Sequence, residues 1–113
     1  YGSLMKNGTI ILYTYDRLCL FHLLAHYSRC FLLKEGADSF TPEEEIIAET
    51  SALVLFKHVY HFNYAYIGNS IDHINKNLKT YMTESLSKDT SKTQVLHMLY
   101  PKVLSCLGAL LNE

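Results

Sequence analysis

Six histidines fall in this 113-residue chain, and two pairs of them are spaced to share a helix face. His22 and His26 stand four apart, His58 and His61 three apart. Imidazoles at such spacing can hold zinc, and facing helices can build di-iron sites when carboxylates join them. The four do not converge on one ion. If the first two helices fold back about a turn near Asp38, His22 lies level with Val54 and His26 with Thr50. The two pairs are then offset by about 11 Å along the axis, at about 1.5 Å per residue. A smaller set of His22, His26 and Glu49 is geometrically possible, because Glu49 would stand nearly level with Tyr27. The chain has no Glu-x-x-His pair of the kind that di-iron bundles use. The expectation is that the imidazoles bridge core and surface through ordinary hydrogen bonds, with no metal and no cofactor.

Arg17 and His22 enclose Leu18-Cys19-Leu20-Phe21. This Arg-x4-His spacing resembles the pattern of HEPN-type helical ribonucleases, in which arginine and histidine converge on a scissile phosphate. The resemblance covers six residues and implies a small helical ribonuclease acting through Arg17 and His22. Leu18 stands where that family usually has a polar residue. Five helical steps at about 100° each leave the two side chains about 140° apart, so convergence calls for a second copy or a distorted helix. No nucleophile elbow, phosphate-binding glycine loop or His-Glu-x-x-His motif occurs.

Cys19, Cys30 and Cys106 make an odd count without CxxC spacing. On one helix, Cys19 and Cys30 would stand about 16 Å apart, beyond disulfide reach. Buried free thiols in a reducing compartment are expected, hence an intracellular chain, cytoplasmic or nuclear.

The aromatic run Phe56, Tyr60, Phe62, Tyr64, Tyr66 is interleaved with His58 and His61 but has only Lys57 beside it. A base-stacking platform comes with more positive charge. Tyrosine suits protein interfaces, offering a broad apolar face and a polar tip. The expected partner-binding patch is Tyr60, Tyr64 and Tyr66 with Tyr13 and Tyr27 of the first helix.

The elements that must position these residues read as helices. Ile11, Tyr15, Leu18, Phe21, Ala25 and Leu32 follow helical steps, giving a first helix over about Thr9 to Lys34 that ends at Gly36. Thr9 to Tyr15 is rich in β-formers, but a lone strand would have nothing to pair with. Thr41-Pro42-Glu43-Glu44-Glu45 is a strong helix start, with Thr41 and Glu44 spaced as a capping box. That second helix is expected to reach about Ile67. Ile71, Ile74, Leu78 and Leu86 line one face of a third, capped by Ser70. Ser91 and Gln94 box the start of a fourth through Val95, Leu99, Val103, Leu107 and Leu110, kinked or split near Pro101.

The fold expected is therefore all-α, an antiparallel bundle of four to five helices in one domain. Residues 1–7 are expected to be disordered or added to the natural chain. Charged residues are 19% of the chain, against about 25% in an average domain, while 49% are hydrophobic. Some apolar surface should thus meet a partner. A net charge of −1 opposes general nucleic-acid binding. Asp16 and Arg17 interrupt the apolar stretch Ile10 to Ala25, so no membrane span is expected. The function expected is a protein–protein interaction module, an adaptor or homo-oligomer. The alternative is a small helical enzyme, either the HEPN-like ribonuclease or a histidine metal site.

Overall fold

The chain is mostly helical with one small two-stranded sheet. The computed structural model describes residues 2–13, 16–35, 41–59, 71–80 and 91–111.

The sheet corrects the expected start of the first helix. Strand β1 (Gly2–Leu4) pairs antiparallel with β2 (Ile10–Leu12), in the register Gly2 to Leu12 and Leu4 to Ile10. The β-rich run thus has a partner, in the lead that sequence reading took for disordered. Asn7-Gly8 makes the turn, a pair favoured in tight hairpins because glycine tolerates positive φ. Gly8 has φ 92°, and the Asn7 Oδ1 accepts from the Thr9 amide at 3.0 Å. A Cβ on Gly2 would stand 2.8 Å from both the Ile11 carbonyl and a Leu23 methyl, so glycine is what lets β1 lie against the first helix.

Helix α1 (Arg17–Tyr27) begins at Asp16, whose carboxylate accepts from the amides of Leu18 and Cys19 at 3.0 and 3.3 Å. That cap satisfies two of the amides a helix start leaves open. The helix then widens into a π-helical turn over Ser28–Leu32, closed by the Leu33 amide on the Ser28 carbonyl at 2.8 Å. This turn rotates the following residues and buries Ser28 and Arg29. Lys34 takes φ 56°, so the helix ends before Gly36, which lies outside the described residues.

Helix α2 (Pro42–Val59) starts as its sequence dictates, with Thr41 Oγ1 accepting from the Glu44 amide at 3.3 Å. The Glu44 carboxylate takes the Arg29 guanidinium in a fork, at 2.8 and 3.1 Å. The expected continuation to Ile67 lies outside the described residues. Helix α3 covers 71–80. Helix α4 (Lys92–Leu111) opens with both arms of the Ser91–Gln94 box, at 2.7 and 3.2 Å. It runs unbroken through Pro101, so of the two expectations, a kink or a split, the split does not occur. Pro101 lies on the exposed side.

Three apolar clusters tie the helices together. Ile46 and Ile47 of α2, Leu78 of α3, and Val95, Leu99, Val103 and Leu107 of α4 form the largest. Leu18 and Phe21 of α1 meet Ala52 and Phe56 of α2, with Ile71 against them. Ala25, Ala48 and Cys106 join α1, α2 and α4 where small residues allow close approach. Burial on the order of 2 kcal/mol for each large aliphatic side chain makes these seams the main support of the site between them.

Candidate metal centre

Helices α1 and α2 each carry a pair of chemical groups four residues apart, and the two pairs face each other. His22 and His26 stand on α1, Glu45 and Glu49 on α2. Nδ1 of His22 is hydrogen-bonded to Oε2 of Glu49. Nε2 of His26 lies 2.9 Å from Oε1 of Glu45. The inner nitrogens, Nε2 of His22 and Nε2 of His26, approach to 3.0 Å. Nε2 of His22 is also 3.4 Å from Oε2 of Glu45. From α3, His73 reaches the same Oε2 with its own Nε2, at 2.8 Å. Its ring centroid lies 5.8 Å from that of His22 in an edge-on arrangement.

The cluster sits at the inner face of three helices. His26 is buried, His22 and Glu45 are nearly so, and His73 stands at the rim with its side chain 41% exposed. Burial alone would drive the His22 imidazole toward its neutral form. Its hydrogen bonds to Glu45 and Glu49 outweigh burial and push its pKa up to about 9. Burial likewise opposes the Glu45 charge, and the three imidazoles overcome it, holding that carboxyl well below the usual range. In the metal-free protein His22 is therefore a cation clasped between two carboxylates.

The same geometry suits a metal ion. The ligand atoms of His22, His26 and Glu45 all lie within 4.8 Å of one another. Nε2 of His22 and Nε2 of His26 stand 3.0 Å apart, and each lies within 3.4 Å of a Glu45 oxygen, Oε2 for His22 and Oε1 for His26. Glu49 stands behind His22, in the place of the carboxylate that commonly fixes a ligating imidazole's tautomer. With the imidazoles neutral, the two carboxylates leave a charge that one divalent ion cancels.

Other candidate residues fall elsewhere. Glu49 meets His22, but the carboxylate that meets both imidazoles is Glu45, five positions before the Thr50 expected opposite His26. His58 is exposed near the far end of α2, and His61 lies outside the described residues, as do Tyr60, Tyr64 and Tyr66. Tyr13 is 68% exposed at the end of β2. Tyr27 is half-buried, stacked on Phe31 at 5.2 Å above the hairpin turn. Arg17 occupies the exposed first position of α1, and His22 turns inward to Glu45 and Glu49. Burial pushes all three cysteine thiols up, so they are poor nucleophiles.

Two candidate features are not among the residues that the sequence singles out. Glu45 was read as a helix-start charge and His73 was not singled out. The matched four-residue spacing of His22/His26 and Glu45/Glu49 is the signal that could have found the first. The second is the outward side of α4, where Leu96, Met98, Tyr100, Leu104 and Leu111 are exposed. Thr93–Leu111 is long and apolar enough to cross a membrane by length and composition, though its Val95, Leu99, Val103 and Leu107 side pack into the core.

Comparison with protein-family models, curated proteins and solved structures finds no match.

Proposed function

We propose that this chain is a metal-binding helical bundle, four to five helices in antiparallel arrangement, holding one divalent transition ion on His22, His26 and Glu45. The observation that carries this reading is the convergence of those three ligand atoms within 4.8 Å, drawn from two helices. Two imidazoles and a carboxylate are a borderline-soft set, suited to zinc, iron(II) or cobalt(II) and poorly suited to calcium or magnesium. Titration of the purified chain with zinc against a chromogenic chelator tests it. The expected result is one ion per chain, lost together in the His22→Ala, His26→Ala double variant, with magnesium unable to compete.

A second reading, an interaction module, draws support from the outward side of α4. Leu96, Tyr100 and Leu104 follow one another at four-residue steps on an exposed stripe. A protein partner or a second copy would bury it. This reading is compatible with the first, since a metal that stiffens the bundle also fixes the face it presents.

A further inference from the structure

Building on the metal-binding reading, we propose that Arg29 is a positioning residue of that site: its fork on Glu44 fixes the register of α2 against α1 at which Glu45 and Glu49 meet the two imidazoles.

Charged rungs cross between the two helices in antiparallel order. His22 meets Glu49, His26 meets Glu45, and Arg29, in the π-helical turn that continues α1, meets Glu44. Arg29 follows His26 by three positions and Glu44 precedes Glu45 by one, so this last rung adjoins the ligands on both helices. Nε of Arg29 donates to Oε2 of Glu44 at 3.1 Å, and Nη2 donates to Oε1 at 2.8 Å. A planar fork on a carboxylate sets direction as well as distance. Both Glu44 oxygens are engaged by Arg29, which leaves Glu45 as the carboxylate for the ion.

The site depends on such a register. Sliding α2 by one residue would shift Glu45 by about 1.5 Å and turn it through about 100°. Metal–ligand distances hold to about 0.2 Å. The apolar seam level with the cluster supplies little grip. Ala25 lies between His22 and His26, Ala48 between Glu45 and Glu49, and the two meet in one cluster with Cys106. Methyl groups let helices approach closely but interlock poorly. The imidazole contacts with Glu45 give way to metal bonds when an ion enters, whereas the Arg29–Glu44 rung takes no part in binding and persists in both states. Arg29 is 2% exposed and Glu44 7%, so salt screens the pair little. Buried ion pairs add little net stability over an apolar pair of like volume, and setting register is their best-attested use.

The test uses the whole chain, with zinc affinity from chelator competition, cobalt(II) absorption as a reporter of ligand geometry, and urea denaturation as a reporter of stability. Arg29→Met with Glu44→Met removes the rung without stranding a charge, and circular dichroism reports that the fold persists. Zinc should then bind roughly 10–100-fold more weakly, the loss typical of an outer-shell partner, and the cobalt(II) spectrum should change. Arg29→Lys keeps the charge and loses the fork. It should fall between the two, and it decides the matter by itself if the double variant does not fold. Leu99→Ala opens the separate seam among α2, α3 and α4. It should lose stability while its folded form keeps the affinity and spectrum of the natural chain. Natural affinity and spectrum in the Arg29→Met, Glu44→Met variant would overturn the positioning role and leave the three-residue site standing. Equal weakening in Leu99→Ala would also overturn it, since affinity would then follow stability alone. If the natural chain takes up no zinc at micromolar concentration, the site falls and the positioning role with it.

Discussion

His22 is hydrogen-bonded through Nδ1 to the carboxylate of Glu49, which leaves its Nε2 aimed at His26 and Glu45. A carboxylate accepts, so the Nδ1 carries the proton and the Nε2 can offer its lone pair to an ion once its own proton leaves. Glu49 is 8% exposed and holds this orientation from inside the α1–α2 seam.

Glu49→Gln should therefore weaken zinc binding without removing it. The amide oxygen still accepts from His22, but the negative charge that raises imidazole basicity is gone. Loss of such an outer-shell carboxylate reduces affinity about 10–100-fold. Competition titration of the variant against the natural chain checks this, with stoichiometry expected to stay at one.

The metal-free protein should lose stability as the solution becomes alkaline. His22 titrates near 6.5 when unfolded and near 9 when folded. A raised folded pKa contributes stability that is complete below pH 6.5 and lost as pH rises through about 9. The shift corresponds to about 3 kcal/mol, shared with Glu45 and counted once. Glu45, with its pKa depressed, contributes stability above about 4.5 that is lost as pH falls through its folded value. Urea melts of metal-free protein between pH 4 and 10 should peak between these limits. His22→Ala should flatten the alkaline decline.

Arg29 and Glu44 should be costly to separate. Arg29 is 2% exposed and its guanidinium grips both Glu44 oxygens, with Glu35 adding a contact at 2.6 Å. Removing one partner strands a buried charge, at about 3–5 kcal/mol. Arg29→Met should destabilise by that order in urea denaturation. Combining it with Glu44→Met should recover part of the loss, because the second charge leaves too.

Leu104, 51% exposed at the middle of the outward α4 stripe, reports on association. If that stripe pairs two copies, light scattering should give a mass that rises with concentration. Leu104→Glu should return it to that of one chain with little change in helicity. An unchanged mass in the variant would place any self-interface elsewhere.

How much of this was legible in the sequence differs by element. Capping chemistry located α2 and α4, because Thr41-Pro42 and Ser91/Gln94 act locally. The apolar steps of α3 and α4 also named the buried residues Leu78, Val95, Leu99, Val103 and Leu107. The hairpin was hidden by weighing Thr9–Tyr15 alone, although Asn7-Gly8 marked the turn and Asp16 the true helix start. The histidine site was half legible. His22, His26 and Glu49 follow from helical spacing. Opposing Glu45 to His26 requires the inter-helix register, which depends on a π-helical turn that no periodicity encodes. His73 comes from a third element, and its arrival depends on tertiary packing.

The most direct test of the central claim is X-ray absorption at the zinc edge on the chain loaded with one equivalent of zinc. The account predicts an ion with first-shell distances of about 2.0–2.1 Å and outer-shell scattering from two imidazoles. A spectrum with six oxygens and no imidazole scattering would contradict the site itself.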